Sequence, residues 1–155
     1  MIDLPDDPAS QAELDRLTAA FFSAVSFEEG EAPAYDAIHA LFIDAGLLIK
    51  NSGATPEISS VRQFIAPRLA MVDSGALTRF REVELSASTE RFGNVAHRLS
   101  IYAKSGAQNG VEFQARGVIS TQFIRTADGW KMSAMAWDDE RPGLLLPEAG
   151  PTACR

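Results

Sequence analysis

What most constrains this chain is a change of hydrophobic period at Leu77. Before that point apolar residues recur every three or four positions, as on one face of a helix. From Leu77 onward they alternate, as in strands whose successive side chains point to opposite faces. Three turn signals, Phe92-Gly93-Asn94, Ser105 to Gly110 and Asp128-Gly129, divide the second half into four long strands at about 77–91, 95–104, 111–126 and 130–138. Strands joined by short turns form an antiparallel meander. Helices first and strands after predict an α+β fold, with helices over one face of the sheet.

The helical half carries its own punctuation. Ser10-Gln11-Ala12-Glu13 reads as a capping box, followed by an apolar stripe of Leu14, Leu17, Phe21 and Val25. Gly30 and Pro33 separate a second, short amphipathic helix bearing Tyr35, Ile38, Leu41 and Phe42. Gly46 precedes a short strand, Leu47-Leu48-Ile49. A third helix starts at Ser59 or Ser60, where Ser60 with Gln63 again suits a capping box. Val61, Phe64, Ile65, Leu69 and Val72 form its apolar side, Pro67 predicts a kink, and Gly75 ends it.

Strand register follows from matching like with like across the first hairpin. A two-residue loop at Gly93-Asn94 would set Val83, Leu85 and Ala87 on the opposite face from Leu99, Ile101 and Ala103. A three-residue loop, or an equivalent bulge, puts Leu85 opposite Ile101 and Ala87 opposite Leu99. On the other face it pairs Glu82 with Lys104, Glu84 with Tyr102 and Ser88 with Arg98. The last hairpin is expected to set Ala134 beside Phe123 and Ala136 beside Thr121.

Composition excludes some functions. The 155 residues are 46% hydrophobic and 23% charged, which fits one domain with a real core. A net charge of −7 opposes nucleic acid and anionic membranes as partners, since both are bound through clustered Lys and Arg. The N-terminus lacks the basic and apolar regions of a signal peptide, and no apolar run reaches the length of a membrane span. A single cysteine, Cys154, can form no internal disulfide and lies too near the terminus to be a good nucleophile. The expectation is a cytoplasmic protein with a disordered or extended segment at 1–9, one domain at 10–141 and a tail at 142–155. Two histidines and that cysteine offer no zinc spacing, and no phosphate loop, dinucleotide fingerprint or nucleophile elbow occurs. No metal and no cofactor is expected.

The order of these features resembles the nuclear-transport-factor-2-like superfamily, which includes ketosteroid-isomerase-like and polyketide-cyclase-like proteins. The resemblance rests on the three-helix start, the segment Ala40 to Ile49, the Phe92-Gly93-Asn94-Val95-Ala96 hairpin, and the closing Asp128-Gly129-Trp130-Lys131-Met132, and it spans Ser10 to Arg141. It implies a cone-shaped curved antiparallel sheet, four long meander strands plus a short one, with three N-terminal helices on the concave face. It also implies a pocket between helices and sheet, and dimerisation through the sheet. That fold hosts isomerases, dehydratases, epoxide hydrolases and cyclases as well as non-catalytic modules, so it does not decide the function.

Enzymes of this resemblance place one or two ionisable side chains in an apolar pocket, where burial tunes them toward neutrality. His97 shares strand parity with Val95, Leu99 and Ile101 and is expected to face the helices, as a base or as a core-edge residue. Asp138 shares the parity of Ala134 and Ala136 and stands as an acid or base at the pocket rim, or as a partner of Arg141. Asp44 precedes the first strand, where ketosteroid-isomerase-like enzymes place their base nearby; a turn role is the alternative. Tyr35 and His39 share a helix face. With Phe64, Leu99, Ile101, Phe113 and Phe123 they make the expected ligand-binding set. Arg116, Glu112 and Gln114 lie on the opposite parity from Phe113, on an exposed or dimer-covered face. Met135 and Trp137 are read as a second apolar face covered by another subunit, to which Leu144-Leu145-Leu146 adds or folds back. Two functions remain open: a homodimeric binding domain for a small apolar molecule, or a cofactor-independent isomerase, dehydratase or hydrolase on a small hydrophobic substrate.

Overall fold

Helix α1 runs Pro8–Val25 and is capped one residue upstream, where Asp7 Oδ1 accepts the Ser10 N–H at 3.1 Å. The expected Ser10–Glu13 box does not form. Both side chains reach instead across to the last strand: Ser10 Oγ accepts the Trp130 indole N–H at 3.1 Å, and Glu13 accepts the Trp130 backbone N–H at 2.7 Å. The computed structural model describes residues 5–147, so Cys154 and the far tail lie outside the described residues.

The second helix is a short 3-10 helix, Tyr35–Leu41. Helix α2, Val61–Asp73, starts on the predicted Ser60–Gln63 capping box, with bonds of 2.9 and 3.1 Å, and contains Pro67. Gly75, at φ +81°, follows the helix end and bonds back to Val72 O at 3.1 Å.

Six strands form one mixed, curved, unclosed sheet: β1 Phe42–Lys50, β2 Glu57–Ser59, β3 Leu77–Phe92, β4 Val95–Gln108, β5 Val111–Thr126 and β6 Gly129–Asp139. Their order is β2-β1-β6-β5-β4-β3. The β3 to β6 meander is as expected from the turn signals. The additions are β2 and the parallel pairing of β1 with β6, neither of which has a local sequence signature. The β4–β5 turn is Asn109-Gly110, both at positive φ (52° and 77°), the chemistry a tight two-residue hairpin demands.

The β3–β4 register is set by a bulge. Phe92 faces Val95 across a two-residue loop, and the register then shifts between Glu84 and Ser86. The expected Glu82–Lys104 and Glu84–Tyr102 pairs form beyond it. Leu85 and Ala87 do not meet Ile101 and Leu99, because the correction comes at Leu85 rather than in the loop. A second irregularity at Ser133 displaces the expected β5–β6 pairs by one, so Ala134 faces Gln122 and Ala136 faces Ser120.

The faces of β4 and β6 are the reverse of the expectation. Ala96, Arg98, Ser100 and Tyr102 turn toward the helices and are buried, whereas His97 and Leu99 turn outward, Leu99 being 52% exposed. In β6, Trp130, Met132 and Met135 are buried in the core; Ala134 and Ala136 pair with the exposed Gln122 and Ser120 on the outer side. Alternation shows that two faces exist, but choosing between them needs one face to be plainly polar. Here both carry apolar groups, and the inner face also carries an ion-pair network centred on the buried Arg98. Arg98 donates to Glu84 at 2.6 and 3.0 Å, to Asp15 of α1 at 2.6 Å and to Thr89 at 3.0 Å, while Ser100 donates to Glu84 at 2.6 Å. The core under α1 is built from Leu14, Leu17, Phe21, Ile38, Tyr102 and Phe123. Among the described residues, no helix is long and apolar enough to cross a membrane.

Candidate functional site

A cavity of about 480 Å³ opens between α2, the C-terminal end of α1, the 3-10 helix and the concave sheet. Phe21, Tyr35, Phe64, Phe80, Phe113 and Trp137 supply aromatic walls. Ionisable groups enter from the sheet (Lys50, Glu57, Glu82, Lys104, Asp139) and from α2 (Arg68). The pocket is therefore mixed rather than the apolar hollow expected.

Glu82 and Lys104 are cross-strand partners and point the same way, into the cavity. Lys104 bonds onward to Asp139 at 3.1 Å, and the Tyr102 hydroxyl donates to the same carboxylate. That arrangement leaves the Glu82 carboxyl without a hydrogen-bond partner among the described residues. Enclosure by protein pushes its pKa up to about 7; Asp139 adds to the rise, and Lys104 opposes it. Burial and the bond to Asp139 hold the Tyr102 hydroxyl protonated far above its usual range. Gly117 makes room for that hydroxyl, since a Cβ there would overlap both Tyr102 Oη and the Asp138 carbonyl.

Across the cavity, Tyr35 is 4% exposed, and burial raises the pKa of its hydroxyl. Arg68 lies with its guanidinium carbon 3.7 Å from the Phe64 ring centre and donates to the Phe64 carbonyl at 2.9 Å. Phe64 in turn meets Trp137 edge to face, with centroids 6.0 Å apart at 89°. Among the described residues no group of three or more His, Cys, Asp and Glu side chains is placed to hold a metal ion.

Of the residues singled out in the sequence, Tyr35, Phe64 and Phe113 line this cavity. Phe123 is fully buried in the core beside it. The remainder are elsewhere. His97 is on the outer face, 62% exposed, with Nε2 3.0 Å from Glu90. Asp138 is outside and bonded to Arg141 at 2.6 Å, which lowers its pKa. Asp44 and His39 are exposed, and Leu99 and Ile101 belong to the outer face. Trp137 and Met135 line the cavity instead of a second face. Glu82, Arg68, Tyr102, Lys104 and Asp139 were missed as site residues. The available signal was the Glu82–Lys104 pair, which the register placed correctly but which reads as a surface ion pair when apolar residues are assigned inward.

No family model and no curated protein matches the sequence. Solved structures do match the architecture. An NTF2-like superfamily protein from Salmonella enterica superposes with a TM-score of 0.70 at 10% identity, covering 96% of this chain and 99% of that one. The chain has the nuclear-transport-factor-2-like fold. A protein of unknown function with a cystatin-like fold from Nostoc punctiforme has a TM-score of 0.64 at 15% identity, over 90% and 96% of the two chains. A candidate dehydratase from the NTF2-like family of Streptomyces avermitilis has a TM-score of 0.65 at 16% identity, over 87% and 99%. The resemblance read in the sequence thus holds for the fold, whose concave sheet and covering helices frame the cavity described above.

Proposed function

We propose that the chain is a cofactor-independent enzyme that moves a proton on a small molecule held in this cavity, an isomerase, dehydratase or hydrolase, with Glu82 as proton carrier. One observation carries the reading: a carboxyl group on the wall of an aromatic-lined cavity, bonded to no protein group among the described residues and holding its proton to about neutral pH. A general acid or base works best when its pKa lies near the working pH. As carboxylate, Glu82 takes a proton from a carbon beside a carbonyl. The Tyr35 hydroxyl donates to the carbonyl oxygen as charge develops there. Glu82 then returns the proton to another carbon, completing an isomerisation, or to a departing hydroxyl, which leaves as water. The tyrosine, aspartate and lysine beside it keep the wall fixed by their mutual bonds.

The test uses ring ketones and β-hydroxy carbonyl compounds as probes, with solvent-deuterium uptake and water loss followed by NMR and mass spectrometry. Turnover by the wild type and a loss of about 10² or more in Glu82→Gln are expected. Uptake that survives Glu82→Gln would sink the assignment, and tight binding without any exchange would leave a binding domain.

A homodimer through the outer sheet face belongs to the same reading. Phe92, Val95 and Leu99 stand exposed on that face, a patch of the kind a second copy covers.

A further inference from the structure

Three cations and three acids line the cavity: Lys50, Arg68 and Lys104 against Glu57, Glu82 and Asp139. Lys104 and Asp139 neutralise one another at 3.1 Å. Among the described residues neither Lys50 nor Arg68 forms an ion pair, but Arg68 is the one held in place, its side chain making one protein hydrogen bond, to the Phe64 carbonyl. A guanidinium presents five N–H donors in a rigid fork that matches a carboxylate two oxygens at a time. Stacking on the Phe64 ring fixes the plane of that fork before any ligand arrives. A half-buried, unpaired cation retains a desolvation cost that only an anion offsets well. Burial indeed works against Arg68's charge, with Tyr35, Glu57 and Glu82 the groups that favour it.

The rest of the cavity describes the remainder of the ligand. Its volume, about 480 Å³, is far larger than a lone carboxylate needs. The wall beside Arg68 continues as Phe64 and Trp137, and Phe80 and Phe113 pack together at 6.2 Å on the sheet side. Flat apolar surfaces suit a ring. The single guanidinium fork of Arg68 is filled by one carboxylate.

We infer that the cavity takes a small monocarboxylic acid with a ring or flat apolar body, its carboxylate held by the Arg68 fork and its body laid against Phe64 and Trp137. This rests on the cavity being the small-molecule site proposed above, and it narrows the substrate class to acids whose reacting carbon lies within reach of Glu82.

Calorimetric titration of the full chain with phenylacetate and 3-phenylpropionate, against the corresponding neutral amides, tests it. Carboxylates are expected to bind at least about tenfold more tightly than amides. Arg68→Gln should erase that preference, while Arg68→Lys should retain part of it. Equal binding of acids and amides by the wild type, absence of acid binding at millimolar concentration, or an unchanged preference in a folded Arg68→Gln variant overturns the inference. If Arg68→Gln does not fold, the wild-type acid-to-amide ratio and Arg68→Lys decide. Deuterium exchange on neutral ketones that depends on Glu82, with no preference for acids, would overturn this inference and leave the proton-transfer reading standing. Acid binding that depends on Arg68, with no exchange on any probe, would do the reverse.

Discussion

Glu82 ties chemistry to stability through one proton. Its pKa rises from the ordinary 4.5 to about 7 on folding, so between those values the folded chain holds a proton that the unfolded chain has lost. Stability therefore falls as pH rises through that window, by on the order of 3 kcal/mol, and Glu82 contributes no further slope above it. Thermal unfolding followed by circular dichroism should show Glu82→Gln more stable than wild type at pH 8, with the difference shrinking toward pH 5. A difference that stays constant across that range would contradict the assignment. Gly117 gives a second single-residue prediction. A Cβ there overlaps a backbone carbonyl, of Asp138, as well as the Tyr102 hydroxyl. Gly117→Ala should cost about 2 kcal/mol or more in urea unfolding, and Tyr102→Phe should not rescue it, because the carbonyl remains.

Among elements, α1 is attached to β3 and β4 by an ion-pair network on one flank and to β6 by hydrogen bonds to Trp130 on the other. Arg98 is 9% exposed at its side chain and joins Glu84 of β3 to Asp15 of α1. Removing one partner of a buried pair costs more than removing both, since the survivor keeps its desolvation penalty. Arg98→Met should lose about 3 kcal/mol of unfolding free energy, and the double variant Arg98→Met, Glu84→Met should recover much of it. Additive losses would show that the network is not coupled. The same flank explains what the sequence made legible. Strand limits were readable because Gly93, Gly110 and Gly129 sit at positive φ and mark the turns. The faces were not readable, because a strand bearing Arg98 and Ser100 inward and Leu99 outward looks identical to its mirror assignment until α1 is placed over it. Tyr35 and Phe64 were legible as cavity residues because helices covering a sheet must turn their apolar stripe inward. Glu82, Lys104 and Asp139 were not, since their burial depends on that unreadable choice.

At the scale of the molecule, the exposed outer face makes association testable. Leu99→Lys places a charge on the exposed face of β4 that also carries Val95, and should convert a dimer into a monomer by light scattering at micromolar concentration, with little change in cavity binding. A wild type already monomeric there would remove the dimer from the proposed function.

The parallel pairing of β1 with β6 has a consequence for how the chain is made. Residues 42–50 find their neighbour at 132–137, and Ser10 and Glu13 are tied to Trp130. Until Gly129–Asp139 has been made, β1 thus lacks its parallel neighbour, and Ser10 and Glu13 lack the Trp130 groups that tie the start of α1 to the sheet. Contacts of such long sequence separation are slow to form. A nascent chain halted before Gly129 should remain open to proteases along α1 and β1. The commitment to the native state would then come in a single late event, once β6 is in place beside β1.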